Sequence, residues 1–204
     1  MKVKELDDVF RNTFGYKTSQ KVLRQDSEQH PQVQINTYLA EFVQDHDDQN
    51  TLLIVYYAGH GKLGDRKGVL NLTGSTTINP DGNKEIHEIV WNSAESIIRQ
   101  TRSDVLVVFD CCNAGEMERD VKASDFTRRA FEYISATPQR STTRKPGPKS
   151  FTSALIWALK KDGTMQAWKT IHYNGTGSRK YIMPRTFPIT KIQEVQREFI
   201  LVAA

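Results

Sequence analysis

Residues 104–115 read DVLVVFDCCNAG: an apolar run without alternation, then an acid, both of the chain's cysteines side by side, and a small-residue turn. A strand in which every residue is apolar buries both faces, as central strands of helix-covered parallel sheets do. Residues 51–61, TLLIVYYAGHG, repeat the pattern and end in a histidine between two glycines. Functional groups of open α/β sheets gather just beyond the carboxyl ends of the strands. Neighbouring strands lie ~4.8 Å apart, so side chains reaching off these two ends can meet. A thiol within reach of an imidazole becomes a thiolate, the form that attacks carbonyls.

The rest of the chain supplies the expected alternation. Val3, Leu6, Val9, Phe10 and Phe14 recur at helical spacing before Gly15, which predicts a helix over 3–14. QKVLR at 20–24 reads as a short strand. Pro31 opens a second helix with Ile35, Tyr38, Leu39, Phe42 and Val43 on one face. GVLNLTG (68–74) reads as a short strand in an excursion closed by the turn NPDGN (79–83), and the spacing of Ile86, Ile89, Val90, Ile97 and Ile98 predicts a helix over 85–100. FEYISA (131–136) is a third core strand, and FTSALIWALKK (151–161) a helix of about three turns. Alternating strands and helices define an α/β, doubly wound, mostly parallel sheet with helices on both faces. The organisation expected is one domain over residues 1–164, followed by a segment, 165–204, that fits the rhythm poorly. Its last part, KIQEVQREFILVAA, reads equally as strand or helix.

Composition narrows the function classes. The chain has 204 residues and a net charge of +4, with 38% hydrophobic and 25% charged residues, which suits one soluble globular domain. Basic residues are spread out except in RSTTRKPGPK (140–149), so no nucleic-acid footprint is expected. No apolar run reaches the ~18 residues of a membrane span, and the amino terminus lacks a signal-peptide core. Free, adjacent cysteines without a leader point to a reducing, cytoplasmic setting. A receiver or nucleotide-binding fold predicts further acids at an early strand end or a phosphate loop, and AGHGKLG lacks the Lys-Ser/Thr ending of a P-loop.

YYAGHG (56–61) followed by DCCNAG (110–115) resembles the caspase-like cysteine peptidases, and within them the metacaspases and related fungal caspase-domain proteins. The resemblance runs from about residue 3 to 162 and includes PGPKSFTSALIWAL (146–159). It implies a cysteine endopeptidase with Cys112 as nucleophile and His60 as general base and acid. Cys111 then fills a variable position. Asp110 matches the acid of the S1 pocket that favours Arg or Lys at P1, and the Gly61 and Cys112 amides match the oxyanion donors. It also implies protein or peptide substrates, no obligatory cofactor, and a role in regulated cell death or self-defence. Calcium activates many relatives, and Glu116, Glu118 and Asp120 could offer it oxygens. Oligomeric state is left open.

The chain departs from the pattern in three places. NAG replaces the usual HSG after the nucleophile, a change that Asn113 and the small Ala114 can absorb in the turn. The family's apolar first strand, which sits between the strands equivalent to 20–24 and 51–57, has no counterpart before residue 3. Its absence would leave unpaired edges inside the sheet, so that the domain is truncated relative to the family, another segment fills the gap, or the fold is impaired. The sequence after 164 does not resemble the family's closing strand and helix. A catalytically impaired scaffold or signalling module is therefore the alternative to a working enzyme.

Overall fold

The computed structural model describes residues 2–24, 28–119, 130–137, 140–143, 147–162 and 196–203. In chain order the elements are α1 (Lys2–Phe14), β1 (Lys17–Val22), α2 (Pro31–His46), β2 (Thr51–Ala58), β3 (Gly61–Leu63), β4 (Leu70–Ile78), β5 (Lys84–Val90), α3 (Trp91–Arg99), β6 (Asp104–Asp110), a 3-10 helix (Ala114–Arg119), β7 (Phe131–Ser135), α4 (Phe151–Asp162) and β8 (Gln196–Ala203).

Among the described residues the main sheet has five strands in the order β1-β8-β2-β6-β7, and every pairing in it is parallel. Successive side chains of a strand point to opposite faces, and here both faces are covered. Leu53, Val55 and Tyr57 of β2 and Val105, Val107 and Phe109 of β6 pack with Ile35, Leu39 and Phe42 of α2 and Ala94 and Ile98 of α3. The alternate set, Leu52, Ile54 and Tyr56 with Leu106 and Val108, packs with Leu6, Val9 and Phe10 of α1 and Leu155, Ile156 and Leu159 of α4. This explains the lack of alternation in the two strands: neither face ever meets water.

The place between β1 and β2 is filled. β8 pairs with β1 from Lys17↔Glu198 to Val22↔Ala203, and with β2 from Thr51↔Gln196 to Ala58↔Ala203. Ile200 and Val202 are buried in the same core as Leu53 and Val55. The place between β1 and β2 therefore has no unpaired edge, because the segment that reads equally as strand or helix occupies it as β8. Among the described residues β1 and β7 are the outer strands.

Two further expectations are corrected. Residues 84–90 form strand β5, and the helix begins only at Trp91. The turn at 79–83 closes a hairpin instead of ending an excursion, with Gly82 at φ 77° and its N–H donating to the Asn79 carbonyl at 2.8 Å. β4 and β5 then pair antiparallel from Ile78↔Lys84 to Asn71↔Val90. The residues Ile86, Ile89 and Val90 satisfy helical spacing by coincidence: Ile89 is buried opposite Leu72, while Ile86 and Val90 are exposed. Together with β3 this makes a separate three-stranded antiparallel sheet. The first strand runs over Lys17–Val22 and starts earlier than the apolar residues of QKVLR.

One outer strand carries an electrostatic liability. The Glu132 side chain on β7 has an oxygen that is buried without a hydrogen-bond partner among the described residues. Burial, then the Asp104 carboxylate, push its carboxyl from an ordinary 4.5 up to about 7. The folded state therefore holds this proton where the unfolded chain has lost it, and stability falls as pH rises through that window. Glu132→Gln is expected to raise the melting temperature by a few degrees at pH 8 and to change it little at pH 4, as measured by circular dichroism. Equal effects at both pH values would show that ionisation is not the cause.

Candidate active site

β2 and β6 end side by side, with Ala58 opposite Asp110. The ladder continues one step, as the Gly59 N–H donates to the Asp110 carbonyl at 3.4 Å. Both chains then turn away, one into His60 and the other into the two cysteines. The His60 backbone is pinned by its carbonyl, which accepts the Thr73 N–H at 3.0 Å and lies 3.1 Å from the Tyr57 hydroxyl. Its side chain is exposed.

The two turns touch at Gly61. A Cβ there would collide with the Cys112 carbonyl oxygen and lie 2.8 Å from the Cys111 sulfur, so only glycine permits the approach. From the other side the Asn113 side-chain amide donates to the Gly61 carbonyl at 3.2 Å. Asn113 occupies the left-handed region, φ 58°, which asparagine tolerates better than most residues. Ala114 is fully buried. The replacement of HSG by NAG is thus accommodated, and its asparagine also clamps the histidine turn.

The cysteines face different surroundings. Cys111 is fully buried among the α2–α3 side of the core. Burial, followed by the neighbouring Cys112 and Asp110, pushes its thiol well above the ordinary range. Cys112 is half-buried, and its sulfur accepts the Thr143 N–H at 3.3 Å.

Asp110 turns toward the α4 side of the sheet. Its Oδ2 accepts from the Tyr56 hydroxyl at 3.2 Å and from the Thr152 hydroxyl, and the Thr152 backbone also contributes a hydrogen bond. Burial raises the carboxyl above its usual range, and the bonds from Thr152 and Tyr56 oppose that shift. Thr152 lies in the first turn of α4, where a carboxylate complements the helix dipole. Asp110 is therefore a tie between β6 and α4, whatever else it does.

Of the acids expected to offer oxygens to calcium, Glu116 and Glu118 fall on the 3-10 helix and Asp120 lies outside the described residues. Among the described residues no group of His, Cys, Asp and Glu is arranged to hold a metal ion. No described helix is long and apolar enough to cross a membrane. Much of the segment 165–204 likewise lies outside the described residues. Three participants gave no advance notice in the sequence: Thr152 and Tyr56 at Asp110, and Thr143 at the sulfur. For Thr143 no sequence pattern exists to find, since its contribution is a main-chain N–H.

A doubly wound sheet with a histidine turn packed on a cysteine turn is the architecture of one peptidase class. The chain belongs to the caspase family: the caspase-domain model of the peptidase C14 family matches residues 2–178. No curated protein and no solved structure matches the chain. Membership makes it a hydrolase-type domain whose substrates are proteins or peptides.

Proposed function

We propose that this chain is a cysteine endopeptidase in which Cys112 attacks the scissile carbonyl and His60 takes and returns the proton. The observation that carries the reading is the packing of the His60 turn on the Cys112 turn through Gly61. Attack forms a thioester acyl-enzyme and releases the amine, which receives its proton from His60. Water, deprotonated by the same imidazole, then releases the acid. The Gly61 and Cys112 amides are the donors assigned to the carbonyl oxygen as it gains charge.

Asp110 is assigned to the P1 side chain, for which a carboxylate prefers Arg or Lys. The domain acts within the cytoplasm in regulated cell death or self-defence, by its resemblance to metacaspases. Glu116, Glu118 and Asp120 are the residues through which calcium would activate it, and assays with calcium or with a chelator test that. The direct experiment compares peptides that differ only at P1. Cleavage after Arg and Lys is expected to exceed cleavage after Asp by at least about a hundredfold, the factor that reversing one buried ion pair gives. Preference for Asp would refute the pocket assignment.

The alternative, a scaffold without turnover, is favoured by the engagement of Asp110 with Tyr56 and Thr152. An arginyl chloromethyl ketone separates the two, because the Cys112 thiolate displaces its chloride and is alkylated only if the pocket accepts a basic side chain beside a reactive thiol.

A further inference from the structure

Between β7 and α4, Thr137 and residues 141–143 are fastened to the cysteine turn. The Thr137 carbonyl accepts the Gly115 N–H at 2.9 Å, and the Ser141 carbonyl accepts the Asn113 N–H at 2.9 Å. The Thr137 hydroxyl donates to the Cys111 carbonyl at 3.2 Å. Two residues beyond Ser141, the Thr143 N–H points at the Cys112 sulfur at 3.3 Å, and the Thr143 hydroxyl lies 3.7 Å from the same atom. The strap is thus held by bonds to Cys111, Asn113 and Gly115 before it presents a donor to Cys112.

We propose that Thr143 is a positioning residue for the Cys112 nucleophile, acting through its main-chain N–H. The proposal rests on the reading of Cys112 as the attacking group. An N–H aimed at sulfur stabilises the anion more than the thiol, and it also fixes the direction in which the sulfur points. Because the strap is tied down independently, the donor is in place before the reaction and needs no reorganisation during it. His60 is exposed and linked to its surroundings through its backbone, so its imidazole is left to carry the proton while the strap holds the sulfur. The hydroxyl, at 3.7 Å from the larger sulfur atom, makes a longer and weaker contact than the N–H.

The test is alkylation of Cys112 by iodoacetamide at pH 7, read by peptide mass spectrometry without any substrate. Cys111 is fully buried and does not compete. Thr143→Ser and Thr143→Val keep the N–H and are expected to react within about twofold of the wild type, as loss of a long, weak contact implies. Thr143→Pro removes the N–H and is expected to react about tenfold more slowly, the lower end of what a hydrogen bond to a charged group supplies. In peptide cleavage the same variant is expected to lose kcat and to leave KM nearly unchanged.

Replacing Thr143 by its α-hydroxy acid puts an ester oxygen in place of the N–H without proline, and is expected to slow alkylation by a similar factor; it decides the matter if Thr143→Pro does not fold. Unchanged alkylation in either folded variant overturns the proposal. A wild-type chain that cleaves no peptide, yet shows the alkylation difference, supports the role of Thr143 and removes the peptidase reading.

Discussion

Truncation before Gln196 is expected to abolish cooperative folding. β8 is paired on both sides, with β1 and with β2, and its removal strands two rows of backbone donors and acceptors in the middle of the sheet. Each buried group left unsatisfied costs roughly 1–3 kcal/mol. Loss of the buried Ile200 and Val202 side chains adds roughly 2 kcal/mol apiece. A few such losses exceed the ~5–15 kcal/mol by which a domain of this kind is stable. The truncated chain should therefore aggregate or show no thermal transition by circular dichroism, and should cleave nothing. Ile200→Ala offers a graded version, with a destabilisation of roughly 2–5 kcal/mol expected in a urea titration. A truncated chain that melts cooperatively within a few degrees of the intact one would mean that β1 and β2 close directly on each other.

Replacing Cys112 by alanine is expected to reduce peptide cleavage to background, whereas Cys111→Ala should keep most of it. The two residues are adjacent yet differ in kind. The Cys111 side chain faces the core and its thiol is held protonated by burial, so it can serve only as packing. Loss of its sulfur leaves a small void, expected to cost roughly 1 kcal/mol of stability and little rate. Cys112 lies past the strand end, where its sulfur meets the strap. The decisive comparison is kcat/KM for the two variants on one arginyl peptide, with melting curves to confirm that both are folded. Activity that survives in Cys112→Ala and disappears in a folded Cys111→Ala would move the nucleophile by one position.

How much of this was legible beforehand depends on whether the information was local. β2 and β6 announce themselves because burial on both faces keeps charged residues out of the strand interiors. α1, α2 and α4 announce themselves because one buried face imposes helical spacing. β5 was hidden, since Ile86, Ile89 and Val90 match helical spacing and only pairing with β4 shows them to be a strand. β8 was hidden for a different reason: its eight residues are apolar enough for strand or helix, and its conformation is dictated by a slot built from residues far earlier in the chain. The histidine and cysteine turns could be recognised from YYAGHG and DCCNAG. The hold of the strap on that site could not, because the Ser141 carbonyl and the Thr143 N–H are backbone groups that any residue but proline could supply.

The order of the sheet also sets a clock for biosynthesis. β2 is complete once residue 58 has been made, but the strand that lies beside it is not finished until residue 203. At the usual rate of translation the interval is on the order of ten to thirty seconds. Throughout that time β1 and β2 have an unfilled partner position, and once made the turns bearing His60 and Cys112 stand on a sheet that is not yet closed. Such long-range pairing slows folding and prolongs the exposure of strand edges to other nascent chains. It also means that the domain cannot mature while it is being made. A ribosome stalled between residues 115 and 196 would hold a chain with the turns bearing His60 and Cys112 already synthesised and no finished sheet to support them.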